Sequence, residues 1–155
     1  MDTEEVVSVS QNALNLSWAF GFNALLPNLV HSLESPSSAA GLPLLYVSAH
    51  TAIVHDTDNS TQKPLQGHCN PITAVCVSTD KKWIATADSG PESLIIVWET
   101  EKGVPVKTIP NPHPLGVISM DISPDSTFLV TLGEGKANIS SSPQTPQVCV
   151  LCNPD

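Results

Sequence analysis

The sequence predicts an all-β fold, and three observations support this prediction. A series of short runs rich in Val, Ile, Leu and Thr has the length of β-strands. Fourteen prolines and eight glycines punctuate the chain between these runs, as turns between strands require. No stretch keeps apolar residues at i, i+3, i+4 and i+7 over three turns, so the pattern predicts no long amphipathic helix.

The predicted strands follow one another along the chain. The best helical candidate, AFGFNALLPNLVHSL, is interrupted by Gly21 and Pro27. Ser- and Pro-rich segments at 32–43 and 136–146 are predicted to be inserted loops, because their composition buries too little apolar surface to offset the entropy of ordering. The predicted strands are Leu14–Phe20, Leu44–Ala49, Ala52–His55, Ile72–Val77, Trp83–Ala87, Leu94–Trp98, Val117–Ile122, Phe128–Leu132 and Val148–Leu151.

Composition narrows the class of protein. A chain of 155 residues is long enough for one domain with its own core. Its net charge of −9, with six basic residues that are all lysine, argues against nucleic-acid and anionic-lipid partners. No apolar run approaches the roughly 20 residues of a membrane helix, and the acidic N-terminus lacks the basic region of a secretory signal. Four scattered cysteines do not form a disulfide framework, so we expect a cytoplasmic protein without a membrane partner.

An internal repeat organises the middle of the chain. HCNPITAVCVSTDKKWIAT, starting at His68, aligns without a gap with HPLGVISMDISPDSTFLVT, starting at His113, at an offset of 45 residues. Apolar, turn and histidine positions agree in this one register, which indicates repeated supersecondary units.

Two further segments extend the repeat. LIIVWE aligns with VCVLCN once an insertion is allowed, which places Cys152 opposite Trp98. Upstream, LLYVSAHTAIVHD aligns with the second half of the unit, with Tyr46 on Trp83 and His55 on Trp98. One unit is therefore complete, one lacks its end, and one is irregular at its beginning.

The complete unit, from Gly67-His68 to Trp98-Glu99, resembles the WD repeat, in which four antiparallel strands form one blade of a β-propeller. The resemblance implies a partial propeller of two to three blades, whereas propellers typically close with about four to eight. We therefore expect the remaining blades to come from a longer polypeptide or a partner. The implied divisions are a tail at 1–13, an irregular first blade at 14–66 with the loop 32–43, a complete blade at 67–110, and an incomplete blade at 111–155 with the loop 136–146.

The resemblance also implies a structural network inside the complete blade. In WD blades a His side chain reaches a Ser or Thr hydroxyl, which in turn reaches the Trp indole. These places fall on His68, Thr86 and Trp98, and Glu92 stands where the family usually has an Asp. The equivalent positions of the next unit are His113, Thr131 and Cys152.

Longer stretches narrow the resemblance. WAFGFN, LLYVSAHTAIVHD and LQGHCNPITAVCVSTDKKWIATADSGPESLIIVWE resemble the opening of a cilia- and flagella-associated WD-repeat protein family. That family belongs to the calmodulin- and spoke-associated complex at the base of radial spokes. The resemblance implies a non-enzymatic scaffold in the cytoskeleton of the motile axoneme, with proteins of that complex as partners and tubulin as a further candidate. A cytoplasmic microtubule-associated WD-repeat protein is the alternative.

A metal-dependent or hydrolytic enzyme is a third, less favoured hypothesis. Cys149 and Cys152 lie three residues apart, so on a strand their side chains point to opposite faces and cannot share an ion. The five histidines have no accompanying G-x-S-x-G motif, and no phosphate-binding glycine loop or D-x-D-x-D-G calcium loop occurs. We therefore predict neither a catalytic residue nor a cofactor or metal site.

Overall fold

The computed structural model describes residues 16–34, 43–90, 92–110, 112–113 and 115–133, and the backbone of Val148–Cys152. Within these ranges the chain has eleven β-strands and no helix, which confirms the predicted all-β class. The predicted tail 1–13, most of the predicted loop 32–43 and all of the predicted loop 136–146 lie outside the described residues. The strands are β1 Val30–Ser32, β2 Leu44–Ser48, β3 Thr51–Asp56, β4 Thr61–Leu65, β5 Ile72–Val77, β6 Trp83–Asp88, β7 Leu94–Glu99, β8 Val104–Pro110, β9 Val117–Ile122, β10 Phe128–Gly133 and β11 Val148–Cys152.

The strands form three antiparallel meanders. The first sheet has the order β1-β2-β3-β4, the second has the order β5-β6-β7-β8, and the third contains β9, β10 and β11 with β10 in the middle. Consecutive strands are therefore always neighbours, the arrangement that short turns favour. The second sheet falls within the predicted complete blade, and the other two fall within the predicted blades on either side of it.

Three strands were not predicted from the sequence. β4 and β8 are outer strands, and they carry prolines and exposed polar residues rather than an apolar run. Pro is tolerated there because the outer edge of a sheet needs no backbone donor. β1 has only three residues and sits inside the interrupted helical candidate. Conversely, the predicted strand Leu14–Phe20 is wrong for residues 16–20, which belong to none of the three sheets.

The core lies between the sheets, because successive residues of a strand point to opposite faces. Leu45 and Val47 of β2 face the second sheet, where Ile84, Ile96 and Trp98 receive them. The opposite face of the second sheet packs against the third. Its cluster consists of Ala74, Cys76, Ala85, Ala87, Ile95, Val117, Met120 and Leu129. The second sheet thus buries both of its faces, which explains its unbroken apolar runs.

A repeated turn joins the first two strands of the second and third sheets. The Ser78 hydroxyl donates to Asp80 Oδ1 at 2.6 Å and accepts the N–H of Trp83 at 2.9 Å. Ser123 makes the same two contacts, at 2.6 and 2.9 Å, with Asp125 and Phe128. Such a side-chain cap satisfies the backbone of a tight hairpin, which is why Ser and Asp recur at matching places in the repeat.

The packing between the first two sheets predicts a large effect of one core substitution. Leu45→Ala removes a side chain that is 0% exposed and leaves a cavity, so we expect the free energy of unfolding to fall by about 2–5 kcal/mol. Urea denaturation followed by tryptophan fluorescence measures this change. The matched control is Leu25→Ala at a residue that is 93% exposed, where the change should stay within about 0.5 kcal/mol. Equal losses from both variants would contradict the assigned core.

Candidate functional site

A buried polar network lies in the face of the second sheet that packs against the first. Thr86, in the middle of β6, is 0% exposed. Its hydroxyl lies 2.7 Å from Nε2 of His68 and accepts the indole N–H of Trp98 at 2.8 Å. His68 comes from the segment before β5 and Trp98 from β7, so the structure brings these three predicted residues together across three neighbouring elements.

A carboxylate completes the network, and it is not the predicted one. Oδ2 of Asp88 lies 3.1 Å from Nδ1 of His68, and both side chains are fully buried. Oδ1 of Asp88 accepts the N–H of Leu94 at 2.6 Å, which ties β6 to the start of β7. Glu92 is exposed in the β6–β7 turn with a φ of 59°. The prediction of Glu92 for this place is therefore wrong, because the lengthened turn carries it away from the histidine.

The contacts of the His68 ring favour one tautomer. The Asp88 carboxylate oxygen, 3.1 Å from Nδ1, favours a proton on Nδ1, in an ion-pair contact rather than a well-aligned hydrogen bond. In that tautomer Nε2 accepts from the Thr86 hydroxyl, which also lies 3.3 Å from the carbonyl of Ile96 and receives the Trp98 N–H. The sequence Asp–His–Thr matches the order of contacts in a hydrolase triad, but Thr86 is closed off from solvent and engaged by Trp98. A triad nucleophile is instead open to its substrate, so the buried Thr86 hydroxyl differs from it in this respect.

The third sheet contains half of this network. Nε2 of His113 lies 2.9 Å from the hydroxyl of Thr131, and both residues are buried. The position 45 residues after Asp88 is Gly133, and a Cβ there would stand 2.3 Å from the His113 ring. The ring therefore packs directly on the glycine backbone, in the place where the second sheet has a carboxylate.

The position equivalent to Trp98 in the third sheet is Leu151, not Cys152. Trp98 pairs with Ile84 in the second sheet, and Leu151 pairs with Leu129, the repeat equivalent of Ile84. Cys152 pairs with Phe128, just as Glu99 pairs with Trp83. The prediction of Cys152 was thus displaced by one residue, and in a strand such a slip exchanges the two faces.

A second register correction applies to the first sheet. In the first sheet Leu44 pairs with His55, and in the second sheet Ile84 pairs with Trp98. In this register Leu44 corresponds to Ile84, and His55 corresponds to Trp98. Tyr46, two residues beyond Leu44, then corresponds to Thr86 rather than to Trp83. Its hydroxyl accepts a hydrogen bond from the side-chain amide of Gln62 at 2.8 Å. The first sheet therefore has a polar contact at this place built from different residues.

Close packing holds the segment before β5 against the network. A Cβ at Gly67 would lie 2.8 Å from Ile96 and 3.3 Å from Trp98, so only glycine lets the backbone approach this closely. The β6–β7 turn is fixed at both ends by buried residues, since Ser93 donates to the carbonyl of His113 at 3.4 Å and Asp88 holds Leu94. Within the described part of this turn, Glu92 faces solvent.

Burial dominates the electrostatics of these side chains. Desolvation lowers the pKa of His68, and the neighbouring Asp88 charge offsets part of that effect. Desolvation also lowers the pKa of His113, which has no carboxylate at the matching position. Burial raises the pKa of the Cys76 thiol to about 12, so this cysteine is not a thiolate nucleophile near neutral pH.

Neither a metal centre nor a membrane span is found in the described part of the chain. No group of three or more His, Cys, Asp or Glu side chains in these ranges converges on a possible ion position. None of the described segments is a helix long and apolar enough to cross a membrane. An open apolar depression of about 410 Å³ is lined by Gly21, Phe22, Val30, Leu44 and Tyr46.

Two four-stranded antiparallel sheets and a third with three described strands pack face to face, as the blades of a β-propeller do. This arrangement defines the class of protein. Among solved structures, the chain is similar to the Dos1 propeller, with a TM-score of 0.57 and 7% sequence identity. The similarity covers 68% of this chain and 29% of that chain, and it establishes the fold alone. The prediction of a partial β-propeller is confirmed.

Sequence comparison identifies the family. Residues 14–150 match the CFAP251 N-terminal domain, and the chain belongs to that family. It is 44% identical over 134 residues to cilia- and flagella-associated protein 251 of Tetrahymena thermophila, covering 86% of this chain and 13% of that protein. It is 42% identical over 139 residues to the Mus musculus protein of the same name, covering 88% of this chain and 10% of that protein. The chain thus spans a small part of these relatives, whose name associates them with cilia and flagella.

The network predicts that Asp88, and not Glu92, stabilises the fold. Asp88→Ala leaves His68 Nδ1 and the Leu94 N–H without their buried acceptor, so we expect a loss of about 1–3 kcal/mol in the free energy of unfolding. Glu92→Ala removes an exposed carboxylate and serves as the matched control, with a change within about 0.5 kcal/mol. Urea denaturation of both variants decides between them, and a larger loss from Glu92→Ala would refute the assignment.

The lowered histidine pKa values predict acid sensitivity in a defined range. Both buried rings favour the neutral form in the folded state, so their stability contribution is complete above the unfolded pKa of about 6.5 and declines as the pH falls below it. Asp80 and Asp125 also have lowered pKa values because of their Ser hydrogen bonds, but they act only below about pH 4. The melting temperature should therefore decrease as the pH is lowered from about 7 to about 5. A midpoint that is constant across this interval would contradict the buried neutral histidines.

Proposed function

We propose that this chain is part of a non-enzymatic scaffold of the motile axoneme and binds other proteins at the base of the radial spokes. The observation that carries the proposal is membership of the CFAP251 N-terminal domain family, whose relatives are named as cilia- and flagella-associated proteins. Neither the family description nor those names denote an enzyme. The radial-spoke location rests on the resemblance of the WAFGFN and WIATADSGP stretches to that family.

The side-chain chemistry supports a structural role. The polar groups that could suggest catalysis, Asp88, His68 and Thr86, are buried and bonded to one another and to Trp98. Enzymes place their reactive groups in a cleft that a substrate enters. Here the same groups fasten neighbouring strands together and are closed off from solvent.

The turns at one end of the second sheet are suited to protein contacts. Its strands alternate in direction, so the β5–β6 and β7–β8 turns lie side by side, joined by the Thr100 N–H bond to the Lys82 carbonyl at 2.9 Å. Lys82 and Lys102 project from these turns with side chains that are 73% and 67% exposed. A rigid sheet that holds exposed loops in fixed places is a common basis for binding.

Amine-reactive cross-linking tests the proposal directly. The chain is expressed with an epitope tag in Tetrahymena cells, whose own relative is 44% identical, and isolated axonemes are cross-linked and analysed by mass spectrometry. We expect the chain in the detergent-resistant axonemal fraction, with cross-links from Lys82 or Lys102 to radial-spoke-base proteins.

The matched control is Lys82→Arg, which keeps the positive charge but removes the reactive amine. This variant should enter the axoneme normally and lose only the cross-links of that position. Recovery of the tagged chain in the soluble fraction alone, or on cytoplasmic microtubules outside the axoneme, would overturn the proposed location. The latter result would favour a microtubule-associated protein instead.

A further inference from the structure

The β6–β7 turn, whose described residues are 89–90 and 92–93, reaches from the second sheet to the third. Its first contact is with Gly116, which precedes β9 and has a φ of +105°. A Cβ at Gly116 would stand 2.4 Å from Cβ and 2.5 Å from Cα of Ser89, so only glycine lets the two backbones approach this closely. The turn and the segment before β9 are therefore in direct contact.

The second contact of this turn is polar and buried. Ser93 is 1% exposed, and its hydroxyl donates to the carbonyl of His113 at 3.4 Å. The same carbonyl accepts the N–H of Gly116 at 3.1 Å. Ser93 is thus bonded to the short turn that leads into β9, and this turn begins with the buried histidine of the third sheet.

The position of the β6–β7 turn depends in its turn on Asp88. One oxygen of this carboxylate lies 3.1 Å from Nδ1 of His68, and the other accepts the N–H of Leu94 at 2.6 Å. Leu94 follows Ser93 in the chain, so the residue that Asp88 holds is covalently joined to the one that holds His113. A continuous series of contacts therefore runs from the buried histidine of the second sheet to that of the third.

The junction between the first and second sheets has a simpler contact at the matching place. The carbonyl of Ala49, in the two-residue β2–β3 turn, accepts the N–H of Ile72 at the start of β5 at 2.9 Å. Val117 is the residue 45 positions after Ile72 and starts β9. The lengthened turn of the second sheet thus contacts the equivalent segment through Ser89 and Ser93. Residues that look like a surface insertion in the sequence lie against the neighbouring sheet.

We propose that Asp88 is a positioning residue for two sheets: it holds His68 in the second sheet, and through the β6–β7 turn it holds the segment 113–116 of the third. The third sheet has Gly133 at the position equivalent to Asp88. Its histidine segment is held instead by a turn that the carboxylate of the neighbouring sheet fixes. The two buried His–Thr contacts are consequently coupled in free energy across the junction between the sheets. This inference is independent of the proposed axonemal role.

Deuterium exchange of the Gly116 amide, followed by NMR, measures this hold, because that N–H donates to the carbonyl that Ser93 also bonds. Ser93→Ala removes the hydroxyl donor, and Asp88→Ala releases the start of β7. In the 155-residue chain we expect each variant to exchange the Gly116 amide about 10-fold faster than the unsubstituted protein. Unchanged exchange at Gly116 in Ser93→Ala, or in folded Asp88→Ala, would overturn the proposal.

A reciprocal measurement tests the link to Asp88 without replacing it. Coupling between two sites acts equally in both directions. Ser93→Ala should therefore also accelerate exchange of the Leu94 amide, which donates to Asp88. This variant keeps the carboxylate, so the test remains decisive if Asp88→Ala does not fold. A Leu94 amide that exchanges at the same rate in Ser93→Ala would contradict the coupling.

Trp98→Phe is the matched control within the same network. It removes the indole N–H that Thr86 accepts and leaves Asp88, Ser93 and the turn in place. Exchange of the Gly116 amide in this variant should stay within about twofold of the unsubstituted protein. An acceleration as large as that in Ser93→Ala would show that exchange follows the general stability of the second sheet, and it would overturn the specific role of the turn.

Discussion

The hydroxyl of Thr86 is the contact on which the second sheet depends. It has no access to water, so its polar atom must be paired within the protein. Pairing it requires Trp98 on one neighbouring strand and His68 on the segment leading into the other. His68 in turn requires Asp88, which fixes the start of the next strand. One buried oxygen therefore sets the relative positions of β5, β6 and β7, in addition to the apolar packing around them.

The three sheets differ in how far they meet this constraint. The second sheet has apolar neighbours on both faces and the complete network. In the third sheet Gly133 stands at the position of the carboxylate and Leu151 at the register position of Trp98, while the contact between His113 and Thr131 is retained. The first sheet replaces the network with the Tyr46–Gln62 contact. The hydrogen-bond network is thus complete in the sheet that is buried on both faces, because an unpaired polar group would cost the most free energy there.

The sequence predicted best where a repeat could be read without gaps. The constant offset located β5, β6, β9 and β10 and the Ser–Asp turns between them, since apolar alternation and turn chemistry agree there. It failed where an insertion intervened. The Glu92 and Cys152 assignments both counted positions across lengthened turns, and such counting cannot reveal whether extra residues belong to the turn or to the strand. The outer strands β4 and β8 were missed because edge strands carry no apolar signal.

The burial that closes the Thr86 hydroxyl off from solvent also ties the strands of the second sheet together. A reactive Asp–His–Thr arrangement needs an open hydroxyl, whereas here the Thr86 hydroxyl is buried and bonded to His68 and Trp98. Hydrogen bonds also hold the turns at both ends of the sheet. At one end Asp88 fixes the β6–β7 turn, and at the other the Thr100–Lys82 backbone bond joins two neighbouring turns. The turns at both ends of the second sheet are thereby bonded to its strands, an arrangement that agrees with the scaffold role proposed above.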